Sequence, residues 1–158
     1  MSEHAAILPE DSASKARLRL WLRFLKASRA IETQIRENLR REFASTLPRF
    51  DVMAALSRYS DGLKMSQLSE VLRVSNGNVT GIVDRLVEDG FLVRVAVPND
   101  RRAWRVRLTE LGEKEFAAQA AAHESWINEM LGEFGEKDAA NIAVRLEQLE
   151  TSLREKKQ

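Results

Sequence analysis

Between Ser75 and Thr109 the hydrophobic period of the chain changes from helical to alternating, and few folds accept that change over so short a stretch. From Val79 the apolar residues Val79, Ile82, Val83, Leu86 and Val87 recur at helical spacing. They share one face, leaving Gly77, Asn78, Gly81, Asp84 and Arg85 on the other. Ser75 suits an N-cap, because its hydroxyl can accept an orphan backbone N–H of the first turn. Gly90 follows the last periodic residue and suits the left-handed conformation that ends many helices. The period then drops to two. Phe91, Val93, Val95 and Val97 fall on one side of a strand and Arg94 on the other. Trp104, Val106 and Leu108 alternate with Arg105 and Arg107. Pro98-Asn99-Asp100-Arg101-Arg102 lies between the two runs and reads as a hairpin loop.

The segment upstream extends this pattern. Thr46 is expected to cap a helix with Pro48 in its first turn and Phe50, Met53, Ala54 and Leu56 facing inward. Asp61-Gly62 is a turn, and Leu63-Lys64-Met65 can add a short third strand to the hairpin. Ser66 is expected to cap a short helix burying Leu68, Val71 and Leu72. Two short helices followed by a hairpin with arginines at its tip make a winged helix-turn-helix over residues 46–109. The expected fold class is mainly α with a small β-hairpin wing, joined to a helical dimerisation region.

That region comprises residues 14–45 and 110–158. A helix from about Ser14 to Ser45 carries Leu18, Leu22, Leu25, Ile31, Ile35 and Leu39 as a stripe, with Trp21 and Phe24 beside it. Thr109 is expected to cap a further helix, Glu110 to about Leu131, with Leu111, Phe116, Ala120, His123, Ile127 and Met130 along one side. The last helix, Asp138 to about Arg154, sets Ile142, Leu146, Leu149 and Leu153 near a heptad seam. Helices this long exceed what a small winged helix can cover, so a second copy of the chain is the expected partner. Residues 1–13, with a Pro and small polar residues, read as a mobile N-terminal tail.

Charge is unevenly distributed. Residues 1–108 hold 19 Lys+Arg against 13 Asp+Glu, a balance of +6, while residues 109–158 hold 6 against 11, a balance of −5. A basic body and an acidic end suit one surface for nucleic acid and another for protein. No cysteine is present, which removes disulfides, thiolate metal sites and cysteine nucleophiles. Two histidines, His4 and His123, do not make a metal cluster. No apolar run approaches the ~20 residues of a membrane span, so a cytoplasmic protein is expected. Neither a phosphate-binding glycine loop nor a histidine–carboxylate pair points to an enzyme, and no cofactor is expected.

The stretch VSNGNVTGIVDRLVEDGFLVR, followed by PNDRRAWRVRLTELG, resembles the MarR family of bacterial regulators. The shared marks are Arg85-Leu86 before Gly90, the Asp100-Arg101-Arg102 wing tip, and Leu108-Thr109 before Gly112. The resemblance runs from about residue 14 to the end. It implies a homodimer interlocked through its first and last two helices, with one winged helix of each subunit on a pseudo-palindromic operator. It further implies a ligand-responsive regulator, a repressor released by a small aromatic acid or its coenzyme A thioester and tied to aromatic compound catabolism. By the same resemblance Arg102 is the arginine that enters the minor groove, with Asp100 orienting it. Many relatives carry a large polar residue where this chain has Gly81, which implies thinner base readout here.

The residues support those roles independently. The first turn of a helix laid in the major groove brings Asn76, Asn78 and Thr80 toward base edges, and asparagine can pair bidentately with adenine. Gly77 permits close backbone approach, Arg85 lies on the same outer face, and Ser66 and Ser75 are placed for phosphates. Arg101 and Arg102 give the wing its charge. For the effector, the arginine-rich first helix offers Arg23 and Lys26 to a carboxylate or phosphate. Trp21, Phe24, Phe50 and Met53 are the candidate pocket walls. The competing reading is a winged helix used only as a protein-interaction module. Its sign would be a neutral or apolar wing, which the arginines of the tip oppose.

Overall fold

The computed structural model describes the backbone of residues 9–73 and 76–157, and within them all side chains except those of residues 9–11, 76 and 77. Six helices and three strands follow one another as α1 (Pro9–Phe43), α2 (Leu47–Ser57), β1 (Leu63–Lys64), α3 (Met65–Leu72), α4 (Asn76–Glu88), β2 (Leu92–Val97), β3 (Asp100–Leu108), α5 (Glu110–Met130) and α6 (Glu136–Glu155). They form two compact units, residues 1–122 and residues 123–158. The strands make one antiparallel sheet in the order β1-β3-β2. This is the expected winged helix-turn-helix with its hairpin wing.

The first unit is built on a core of Val52, Met53, Ala55, Leu56, Leu63, Leu68, Val79, Val83, Leu86, Leu92, Val106 and Leu108. The stripe expected on α4 is there, with Val79, Val83 and Leu86 wholly buried and Ile82 and Val87 beside them. On α2, Val52 and Ala55 join Phe50, Met53 and Leu56 in the core, while Ala54, expected inward, is only half-buried. Thr46 caps α2 as expected, its side chain accepting the Arg49 N–H at 3.3 Å. On α1 the stripe is buried only at Ile35 and Leu39, while Leu18, Trp21 and Leu22 are exposed.

Several expectations are corrected. α1 begins at Pro9, so residues 9–13 of the segment read as a tail are helical. Ser66 does not cap α3. The helix starts two residues earlier, with Lys64 at the cap position, and the Gln67 side chain accepts the Lys64 N–H at 3.0 Å in place of a serine cap. Val71 is 47% exposed and lies off the buried face of α3. Leu111 is likewise exposed on α5, whereas Gln119 and Trp126 are buried there. Ser75, the expected cap of α4, lies outside the described residues.

β2 also starts one residue later than expected, with its alternation unchanged. Phe91 was expected to begin the strand, but its N–H donates to the Leu86 carbonyl and the Gly90 N–H to that of Val87. With Gly90 at φ +81°, this is the paired-bond stop that closes a helix through a left-handed glycine. Phe91 therefore belongs to the helix end. The strand counts from Leu92, which pairs with Leu108, so Leu92, Arg94 and Ala96 share a face with Trp104, Val106 and Leu108. Val93 and Val95 turn to the opposite face, with Arg105 and Arg107.

The start of α5 is bolted to this same turn. Thr109 donates its backbone N–H to the Phe91 carbonyl at 3.0 Å and its hydroxyl to the Gly90 carbonyl at 2.6 Å. The hydroxyl oxygen also accepts the Gly112 N–H at 3.0 Å, which makes Thr109 the cap of α5 as expected. Gly112 sits so close that a Cβ there would stand 2.0 Å from the Phe91 carbonyl oxygen. The Leu-Thr-x-x-Gly run is thus a junction between α4, the sheet and α5. A Gly112→Ala substitution must push α5 off the turn and is expected to lower the unfolding free energy by about 2 kcal/mol or more. Urea titration of the variant against the parent measures this.

Candidate nucleic-acid interface

The outer face of α4 is open. Asn78, Thr80, Gly81, Asp84 and Arg85 are exposed opposite the buried stripe. Asn76 and Gly77 form the first residues of the helix, though their side chains lie outside the described set. Ser66 is exposed in the first turn of α3. The helix-turn-helix therefore brings Ser66, Asn78, Thr80 and Arg85 onto the surface as expected.

The wing differs from the expected loop. Only Pro98 and Asn99 turn the chain, Asn99 at φ +68°, and Asp100, Arg101 and Arg102 already belong to β3. Val97 pairs with Asp100, but Ala96 pairs with Trp104, so a register shift loads the extra residues onto β3 at the tip. Arg101 and Arg102 are both exposed there. The Asp100 carboxylate accepts the backbone N–H of Arg102 at 3.1 Å. It thereby shapes the bulged backbone and does not hold the guanidinium, which stays open to an external anion.

Two ion pairs join the pieces, and neither was foreseen from the sequence. Arg94 of β2 pairs with Asp84 on the outer face of α4, and Arg49 of α2 pairs with Asp89 at the end of α4. Partners 10 and 40 residues apart obey no helical or strand spacing rule, so only the docked elements reveal them. The Arg49 Nε is buried without a hydrogen-bond partner, leaving one donor of that guanidinium unsatisfied.

A groove of about 460 Å³ runs beside α4, lined by Arg36, Thr46, Pro48, Arg49, Asn78, Gly81, Ile82 and Arg85. Arg36 is held by Glu32 at 2.7 Å. The six residues expected around an effector are not gathered in this way. Trp21, Arg23 and Lys26 are exposed on α1 and Phe24 is half-buried. Met53 belongs to the core, and the Phe50 ring packs on Phe116 at 5.7 Å.

Gly81 needs no room within the fold, because a Cβ there would meet nothing within 4 Å. It sits in mid-helix, where glycine costs about 1 kcal/mol relative to alanine. Gly81→Ala is therefore expected to raise the unfolding free energy by about 0.5–1 kcal/mol. A higher thermal midpoint checks this; an unchanged or lower one means that the glycine serves the fold.

Known proteins show the same arrangement. The MarR family model matches residues 46–104. The HTH-type transcriptional regulator YfiV of Bacillus subtilis is 30% identical over 111 residues, covering 70% of this chain and 68% of its own. The chain spans only 61% of the length of another B. subtilis regulator, YpoP. A crystal structure of a MarR family transcriptional regulator from Silicibacter pomeroyi superposes with a TM-score of 0.74 at 31% identity, over 89% of this chain and 97% of that one. An E. coli MarR mutant complexed with operator DNA shares the fold at a TM-score of 0.72 and 21% identity, over 85% and 95% of the two chains. With its motifs, its winged helix and a 31% identical structure matched over nearly its full length, the chain belongs to the MarR family of transcriptional regulators.

Proposed function

We propose that the chain is a homodimeric, cytoplasmic DNA-binding regulator. In this reading residues 46–109 contact the duplex, and residues 14–45 and 110–158 join two copies. The observation that carries it is the joint geometry of α4 and the wing, an open helix face and two exposed arginines on a hairpin that Arg94 ties to that helix. A helix in the major groove with a basic hairpin in the adjacent minor groove matches that geometry. The solved complex of an E. coli relative with operator DNA supports the same use of the fold. Pairing of two copies is supported by apolar residues left exposed in the single chain. These are Leu18, Trp21 and Leu22 on α1, and Ile142, Leu146, Leu149 and Leu153 on α6. A two-fold dimer then reads a pseudo-palindrome with half-sites about one helical turn apart.

Duplex binding separates this from a protein-interaction module. Affinity for a duplex selected by the protein from random sequence should fall steeply with added salt, because phosphate neutralisation releases counterions. Arg102→Ala should cost on the order of 1–3 kcal/mol, and Arg101→Ala less, since a narrow minor groove concentrates attraction on one inserted arginine. Parental affinity in both variants rejects the wing assignment. No salt-sensitive binding by the parent rejects the regulator.

The finer reading is a repressor released by an aromatic carboxylic acid or its coenzyme A thioester. The groove beside α4 supports it better than the walls expected around Trp21, Arg23, Phe24 and Lys26, because Phe50 and Met53 are committed to packing. Ile82 and Pro48 offer an apolar surface, and the exposed guanidinium of Arg85, which forms no ion pair among the described residues, suits a carboxylate. Asn78 and Gly81 line the same groove, so an occupant reaches the DNA-facing helix directly. Loosening operator binding a hundredfold needs ~2.7 kcal/mol of coupling. Titrating the protein–duplex complex with hydroxylated benzoates, cinnamates and their thioesters should release DNA from the parent, with Arg85→Ala shifting the release to higher concentration. Release that is unaltered in Arg85→Ala moves the site elsewhere; no release by any aromatic acid rejects the effector class.

A further inference from the structure

Trp104 is unusually placed for a residue of its size. It is 51% exposed on β3, two residues beyond Arg102. Its cross-strand partner is Ala96, too small to cover an indole, and the next pair on the same face is Arg94 with Val106. That face is the one that meets α4, since Arg94 reaches Asp84 and Val106 is in the core. Trp104 therefore stands in the angle between the wing and the recognition helix. Its Nε1–H has no acceptor among the described residues, and indole nitrogen can only donate.

We propose that Trp104 contacts the sugar–phosphate backbone that separates the major groove read by α4 from the minor groove read by the wing. The inference rests on the regulator reading given above. A duplex engaged by both elements must pass this strand of backbone through the angle between them. The indole lays its apolar face on a deoxyribose and donates Nε1–H to a phosphate oxygen, a pairing for which the amphipathic ring is suited. Two residues along the bulged tip span at most about 7 Å, so Trp104 lies within one or two nucleotides of the site of Arg102. Such a contact sets position and affinity but reads no base. It also differs from every arginine contact in carrying no charge, so it displaces no counterion.

The test uses the full chain and its Trp104→Ala and Trp104→Phe variants. Each binds a duplex selected by the parent and an unrelated duplex of the same length, across a salt series. Trp104→Ala should weaken both complexes by about tenfold, and Trp104→Phe, which keeps a ring and loses the donor, by about threefold. The plots of log affinity against log salt should stay parallel to the parent's, whereas Arg102→Ala flattens the slope. Parental affinity in Trp104→Phe overturns the phosphate bond even where the alanine variant proves unstable. A loss confined to the selected duplex, or a changed salt slope, overturns the backbone assignment. A parent that binds neither duplex rejects the regulator reading itself, while a binding parent with unaffected variants rejects only the role of Trp104.

Discussion

The close approach of Gly112 to the Phe91 carbonyl holds the winged helix-turn-helix of this molecule to α5. No side chain fits there, and the contact is flanked by the hydroxyl of Thr109, which bonds backward to Gly90 and forward to Gly112. α4 ends, the wing begins and α5 starts within one small cluster of backbone groups. Because each group is satisfied by another in the cluster, the three elements cannot drift independently without leaving polar atoms unpaired. The tilt of the wing against α4 and the direction in which α5 departs are consequences of that junction.

Charge refines the arrangement that packing sets. The arginines of α2, β2 and the wing tip divide into two groups. Arg49 and Arg94 are spent on Asp89 and Asp84, where they hold α4 against α2 and the wing. Arg101 and Arg102 have no such tether, because Asp100 bonds to backbone instead of guanidinium. The half-exposed internal pairs bring little stability of their own, but they determine which cations remain for phosphate. A count of basic residues therefore overstates the charge available to a duplex.

The long helices contrast with this compact centre. α1 buries Ile35 and Leu39 yet exposes Leu18, Trp21 and Leu22, and α6 buries no side chain at all in the single chain. An amphipathic helix owes most of its stability to a covered apolar face. The proposed pairing of two copies supplies that cover.

Much of this was legible in the sequence because it depends on local periodicity and on the conformational preferences of a few residues. The α4 stripe, the left-handed stop at Gly90, the caps at Thr46 and Thr109 and the two alternating runs all follow from neighbours within four or five positions. The errors arose where two local readings competed for one residue. Phe91 fits either a strand start or a helix stop, and the hydrogen bond to Leu86 decided for the stop, so β2 begins at Leu92. Ser66 fits a cap, but Gln67 reached the Lys64 N–H first. What only the tertiary structure decided involves partners distant along the chain: Arg49 with Asp89, the groove shared by α1, α2 and α4, and the opposition of Trp104 to Ala96 beside Arg94. Periodicity shows which side of an element is apolar. Which polar and aromatic groups meet on the other side depends on how the elements dock, and that orientation is set by steric fits such as Gly112 on Phe91, which leave no periodic trace.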